Sequence, residues 1–215
     1  MSQTFAQLKA RLHRGVLRDD LVEDYGSFLN EGLREIQNRR SWTSMKRESD
    51  DLTIPTGSGR ETVALPADFK ELQKDPAVAF VTEDGGWVPA EVVTEEQQIY
   101  RLWIFGGTPI CTWPPRLFIE RRATETVLGV LEALSQPLAI RVKYYAYLPD
   151  LSADTDTSAL ADLYPNMVLA KARAIALSQI NDREADNAEL EFEKKLADAI
   201  RQDAYSEVVG RVNRM

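Results

Sequence analysis

A chain of 215 residues with 34 acidic and 26 basic side chains carries a formal net charge of −8. That balance disfavours tight wrapping of nucleic acid, whose affinity comes from cations that displace counterions. The 44% hydrophobic and 28% charged content is that of an ordinary globular protein with enough chain for one good core or two small ones, and no apolar run approaches the ~20 residues that span a bilayer.

Residues 1–47 read as helical. The start, MSQTFAQLKARLHRG, is basic but lacks the continuous apolar stretch of a secretory signal. Phe5, Leu8 and Leu12 have helical spacing, and Gly15 is the expected stop. Asp19 or Asp20 then caps a second segment, in which Leu21, Val22, Tyr25, Leu29, Leu33 and Ile36 recur at steps of three and four. This helix ends near Arg39-Arg40, with Trp42 packed just past it. Lys9, Arg11, His13, Arg14 and Arg18 make the first segment basic, which suits either a solvated face or a dock for an acidic partner.

From 50 to 147 the pattern is that of strands. Short runs at 51–54, 61–65, 78–81, 99–105, 116–119 and 138–147 are separated by turn signals such as Pro55, Gly57-Ser58-Gly59, Asp84-Gly85-Gly86 and Gly106-Gly107. Such spacing predicts a small antiparallel sandwich or barrel. Thr94 and Gln97 have the spacing of a capping box. The run 126–134 fits a strand pair or a helix, and Gly129 favours strand. In 140–147, Ile140, Val142, Tyr144 and Ala146 alternate with Arg141, Lys143, Tyr145 and Tyr147, and Pro149 ends the strand.

The polar run 152–158 offers Asp154, Asp156 and Thr157 as helix caps. Tyr164-Pro165 then resets the backbone, which predicts a short helix, a bend and a long helix. The segment 167–180 is rich in alanine (Ala170, Ala172, Ala174, Ala176) and apolar on nearly every side, so it is expected to be buried, by neighbouring subunits as well as its own chain. Asp186 with Glu189 is the expected capping box of the next helix. That helix sets Leu190, Phe192, Leu196 and Ile200 against an acidic side of Glu184, Asp186, Glu189, Glu191, Glu193, Asp198 and Asp203. Gly210 is the expected stop, leaving a basic tail to Met215.

Few residues offer chemistry. His13 is the only histidine and has no cysteine or ligand spacing near it, and Cys111 is the only cysteine, which excludes an internal disulfide and a cysteine-built zinc site. No nucleophile elbow, Walker loop, GxGxxG or HExxH occurs. Asp150, Asp154 and Asp156 lack the glycine and glutamate of a calcium loop, and capping accounts for them better. The tryptophans Trp42, Trp87, Trp103 and Trp113 suit core or subunit-interface anchors better than base stacking.

Three stretches, in order, carry a likeness: LNEGLREIQNRRSW at 29–42, GRETVALPADF at 59–69, and VKYY at 142–145 running on through LPDLS at 148–152 to Tyr164-Pro165. With them the chain resembles the head-to-tail connector (adaptor) proteins of tailed bacteriophages. The segment 121–136 is longer than the connection expected in that family. The resemblance implies an α+β fold: a helical body built from N- and C-terminal helices (1–49 and 150–207), an inserted β domain (50–149) and a docking tail (208–215). It implies a structural virion protein at the neck, built in the host cytoplasm, with no enzyme activity and no cofactor.

On the same footing, twelve copies form a ring bound to the portal above and a tail protein below. The ring is crossed by double-stranded DNA that it does not grip, and it meets no membrane. The expected portal-docking residues are Val208, Val209, Arg211, Val212, Arg214 and Met215. Glu184, Glu189, Glu191, Glu193 and Asp198 are the expected channel lining, and Trp42, Trp87, Trp103, Trp113, Tyr145 and Tyr147 the expected interface anchors. The competing readings are a tail-completion protein, distinguished by ring symmetry and neighbour; a carboxylate-metal hydrolase, distinguished by metal-dependent turnover; and a sugar- or peptide-binding module presenting Trp87, Trp103 and Trp113.

Overall fold

The computed structural model describes residues 2–57, 61–74, 76–82, 86–93, 115–180 and 182–212, without the side chains of 207–212. The fold is α+β, and the chain divides into two compact units: a helical unit of 1–45 with 148–215, and a β unit of 46–147. The expected capping box at Thr94 and Gln97, the run 99–105, Cys111, Trp103 and Trp113 lie outside the described residues.

In the helical unit, α1 (Phe5–Val16) opens with a capping box in which Thr4 and Gln7 satisfy each other's backbone N–H. Its next free N–H groups, on Phe5 and Ala6, donate to the carbonyls of Asp156 and Asp154. Gly15 does not stop it. Burying Val16 carries the helix one residue further, and Leu17 closes it in the left-handed region at φ 55°, donating to the His13 carbonyl. A 3₁₀ turn (Asp19–Asp24) precedes α2 (Tyr25–Arg39), so Leu21 is buried while Val22 points outward.

The returning chain gives α3 (Ala159–Leu163) and, after Pro165 at the first turn, α4 (Pro165–Gln179). The expected caps do other work. Asp156 accepts from the backbone of Ser152 and Ala153 and from the Ser152 hydroxyl, closing the preceding turn, and those bonds hold its carboxyl below the usual range. Asp154 pairs with Lys9, and the position before α3 is Ser158, which makes no side-chain cap. Buried residues occur on several sides of α4, which packs on α1, α2, α3 and the last helix. Close approach to α2 rests on Gly32: a Cβ there would sit 3.3 Å from the Ala172 backbone nitrogen.

The last helix, α5 (Ala185–Val212), starts on Asp182, whose carboxylate accepts from Glu184 N–H. Asp186 therefore lies within its first turn and is not its cap. Gly210 does not end it either, so Val208, Val209, Arg211 and Val212 belong to the helix, while Arg214 and Met215 lie outside the described residues.

The β unit holds β1 (Lys46–Glu48), β2 (Leu52–Ile54), β3 (Thr62–Ala64), β4 (Phe69–Leu72), β5 (Val78–Val81), β6 (Trp87–Pro89), β7 (Val92–Val93), β8 (Leu117–Arg121), β9 (Thr126–Val130) and β10 (Leu138–Ala146). Residues 46 and 47, read as helix from sequence, are strand. The larger sheet is organised by β10, flanked by β1 and β2 on one edge and by β4 and β5 on the other, with β6 beyond β5. Between β1 and β2 the ladder is bridged by Ser49, which donates its N–H to Val142 and accepts from Val142 on its hydroxyl.

The smaller sheet runs β3-β9-β8-β7, and its β7–β8 pair is parallel, so the unit is mixed and not wholly antiparallel. Both sheets contribute to one core, with Ile54, Phe80, Leu117, Leu128, Ile140 and Val142 fully or almost fully buried, which makes the unit sandwich-like.

The ambiguous run 126–134 is β9 followed by a turn fixed by Glu132, whose buried carboxylate accepts from the Arg116 backbone and guanidinium. Gly129 pairs with Phe118 across the sheet, and a Cβ there would fall 2.4 Å from the Phe118 ring and 2.9 Å from Thr62. Gly129→Ala is accordingly expected to destabilise the β unit by about 1–3 kcal/mol through overpacking, read as a lowered denaturation midpoint.

Candidate interaction surfaces

The helical unit is assembled by polar residues beside the apolar stripe of α2. Asn30, Arg34 and Gln37 share one side of the helix, and all three grip the returning chain. Asn30 exchanges two hydrogen bonds with the Leu151 backbone, Arg34 pairs with Asp150, and buried Gln37 accepts from Leu148 N–H at 2.6 Å. Sequence reading missed these three. Their signal was a polar line at i, i+4 and i+7.

The acidic side of α5 is not free carboxylate. Lys171, buried on α4, holds Glu35 at 2.8 Å and Glu189 at 3.0 Å, with its ammonium 4.9 Å from the Phe192 ring. Arg39 reaches Glu35, Glu189 and Glu193 and lies 5.1 Å over the same ring. Arg173 pairs with Glu184 and Glu191, Lys195 with Glu191, and Arg201 with Asp198. Every residue expected to line a channel thus carries a cation beside it, and much of the negative charge read from the sequence is compensated by α2, α4 and α5 itself.

Burial pulls the Glu35 carboxyl upward, but Lys171 and then Arg39 outweigh it and leave the group below its ordinary range. The unfolded chain therefore takes up this proton at a higher pH than the folded one. The stabilisation is present above the ordinary carboxylate range and fades as pH falls through the folded value, from about pH 4 downward. Glu35→Gln is expected to flatten the acid limb of a stability–pH curve.

Asp203, read as part of the exposed acidic side, is buried. It accepts from Thr43 N–H at 3.1 Å, from the Tyr164 hydroxyl at 3.3 Å and from Arg40 at 3.4 Å. Burial, then the charge of Asp203 and its hydrogen bond, push the Tyr164 hydroxyl up to about 12, which keeps it a donor. Trp42 packs against Tyr164 with ring centres 5.2 Å apart and planes tilted by 46°, and donates its indole N–H to the Ile36 carbonyl. It is wholly enclosed within the single chain, a core position.

In the β unit, Trp87 is 44% exposed, and the Arg141 guanidinium lies 3.9 Å over its ring while pairing with Asp51 and Glu48. Glu48, Trp87 and Arg141, with Lys143, Ala79 and Pro89, border a groove of about 390 Å³ on the larger sheet. Tyr145 and Tyr147 follow Arg141 and Lys143 at alternate positions of the chain, Tyr145 half-buried near Lys46 and Tyr147 exposed. Three of the expected anchors, Trp87, Tyr145 and Tyr147, are thus at least partly accessible in the single chain.

His13 sits beside Tyr25 and Asp19. Among the described residues no group of three or more His, Cys, Asp or Glu side chains is placed to hold a metal ion, and no described helix is long and apolar enough to cross a membrane.

A search of the curated proteins finds no match. The family model described as SU10 adaptor protein matches residues 3–214, spanning both units and all ten described strands. With nearly the whole chain covered, this protein belongs to the SU10 adaptor protein family, a head-to-tail adaptor family of tailed phages.

Proposed function

We propose that the chain is a structural protein of the virion neck: one subunit of a twelve-copy adaptor ring that binds beneath the portal, receives a tail protein below and surrounds part of the DNA path. The family match over 3–214 carries this reading. One feature supports it: α5 presents carboxylates already matched by cations, a surface that neither grips a phosphate backbone nor strongly repels it. Glu184, Glu189, Glu191, Glu193 and Asp198 border that path. The end of α5 from Val208, with the residues up to Met215, docks on the portal. Trp87, Tyr145 and Tyr147 contact neighbouring subunits, and no catalysis is involved.

Mass measurement of the chain alone and mixed with portal rings tests the proposal. A complex with one adaptor per portal subunit is expected, and removal of 208–215 is expected to abolish it while leaving the subunit folded, with circular dichroism losing only the signal of the removed helical end. Failure of the intact chain to associate with the portal overturns the reading.

A further inference from the structure

The last helix has two apolar seams. The first, Ala188, Phe192, Leu196 and Ala199, is buried in the subunit. Turning by 100° per residue brings Leu190, Ala197 and Tyr205 into a second line on the opposite side, with Lys194 and Arg201 between them. All five are exposed, Leu190 by 60% and Tyr205 by 72%. Lys194 has no ion pair among the described residues, and Arg201 shares its charge with Asp198 at 3.3 Å. A helix that is apolar on two sides needs two neighbours, and this subunit supplies one of them.

A second exposed apolar pair follows α1. Leu17 is 76% and Val22 47% exposed, and acids surround them. Arg18 cancels Asp20, while Glu23 and Asp24 have no ion pair among the described residues. Leu17 is also the only non-glycine residue with positive φ among those described. Glycine fills such a helix end without strain, so leucine here combines backbone strain with exposed apolar surface. What the position retains is the side chain itself, the pattern expected where a side chain is held out for a contact.

We infer that these two surfaces are the halves of one contact between copies of this chain: Leu17 and Val22, with Glu23 and Asp24, seat on the Leu190–Tyr205 line of the next copy, where Lys194 and Arg201 meet the acids. Unlike surfaces meeting head to tail can repeat around a closed ring, and in this respect the inference rests on the ring proposed above. A tyrosine and leucines enclosed by complementary charges match the make-up of a subunit interface, with aromatic residues central and ion pairs at the rim.

The test uses the full chain with portal rings, read by native mass and sedimentation. Leu17→Gly is expected to raise the melting temperature of the free subunit by a few degrees while weakening ring assembly at least tenfold. Because stability and assembly move in opposite directions, misfolding cannot account for the loss. E23K with D24K is expected to abolish assembly, as is K194E with R201E, and all four changes in one chain are expected to restore it.

If the wild type assembles and Leu17→Gly and both reversals assemble equally well, this contact is wrong and the ring reading stands. If the fourfold variant fails to recover, the two surfaces do not meet. If the wild type stays monomeric with the portal present, both readings fall.

Discussion

Replacing Lys171 with alanine is expected to destabilise the helical unit by about 3 kcal/mol, the lower end of the range for breaking a buried pair. Its ammonium is the shared partner of Glu35 and Glu189 and lies against Phe192. Without it, two carboxylates from different helices are left to share Arg39, which Glu193 also engages. They retain 36% and 40% of their exposure, so water relieves part of the repulsion, which is why the cost stays at the lower end. Urea unfolding followed by circular dichroism measures the loss. Combining Lys171→Met with Glu35→Gln and Glu189→Gln removes three charges together and is expected to recover most of it, because Arg39 keeps Glu193 and no carboxylate is left without a cation. A triple variant as unstable as Lys171→Ala would show that the ammonium acts through packing and not through charge.

Trp42→Ala is expected to cost about 3–5 kcal/mol, the range for emptying a large aromatic site in a core. The indole is fully enclosed, its N–H is bound to the Ile36 carbonyl, and its tilted ring packs against Tyr164. Trp42→Phe keeps an aromatic ring but loses this hydrogen bond, and is expected to cost about 1–3 kcal/mol. Tyr164 donates to Asp203, so the alanine variant is also expected to free the α5 segment around Asp203, visible as faster amide exchange there. If both variants melt like the wild type while ring assembly fails, Trp42 is an interface residue after all.

The sequence disclosed features that depend on period and on proline, and obscured those that depend on tertiary partners. Alternation in 140–147 gave β10 almost to the residue, and Tyr164-Pro165 placed the break between α3 and α4. Gly15 and Gly210 misled, because glycine is tolerated inside a helix when the residues beyond it gain from continuing: Val16 gains burial. Asp154 and Asp156 had the composition of caps, yet the carboxylates serve a turn and Lys9, and the backbone carbonyls take up the first N–H groups of α1, a long-range role that local pattern does not carry.

Short strands were the least legible. β1 is Lys-Arg-Glu, and β6 contains proline and an exposed tryptophan, so neither alternates in hydrophobicity. Charges on α5 were visible, but their partners Arg39, Lys171 and Arg173 come from other helices. The acidic side therefore read as far more negative than the assembled unit makes it.

Lys46 and Tyr145, at the two ends of the β unit, are cross-strand partners, which puts their Cα atoms about 5 Å apart. That pairing bears on the order of folding. The helical segments on either side can meet only across a loop of about a hundred residues, whose closure costs about 4 kcal/mol if the intervening chain is loose. Once β10 has zipped against β1, the same closure is nearly complete, and the helices before the insert have a short path to α4. By this argument the inserted unit acts as a staple, and weakening β1–β10 pairing is expected to slow refolding of a helical body that it does not itself form.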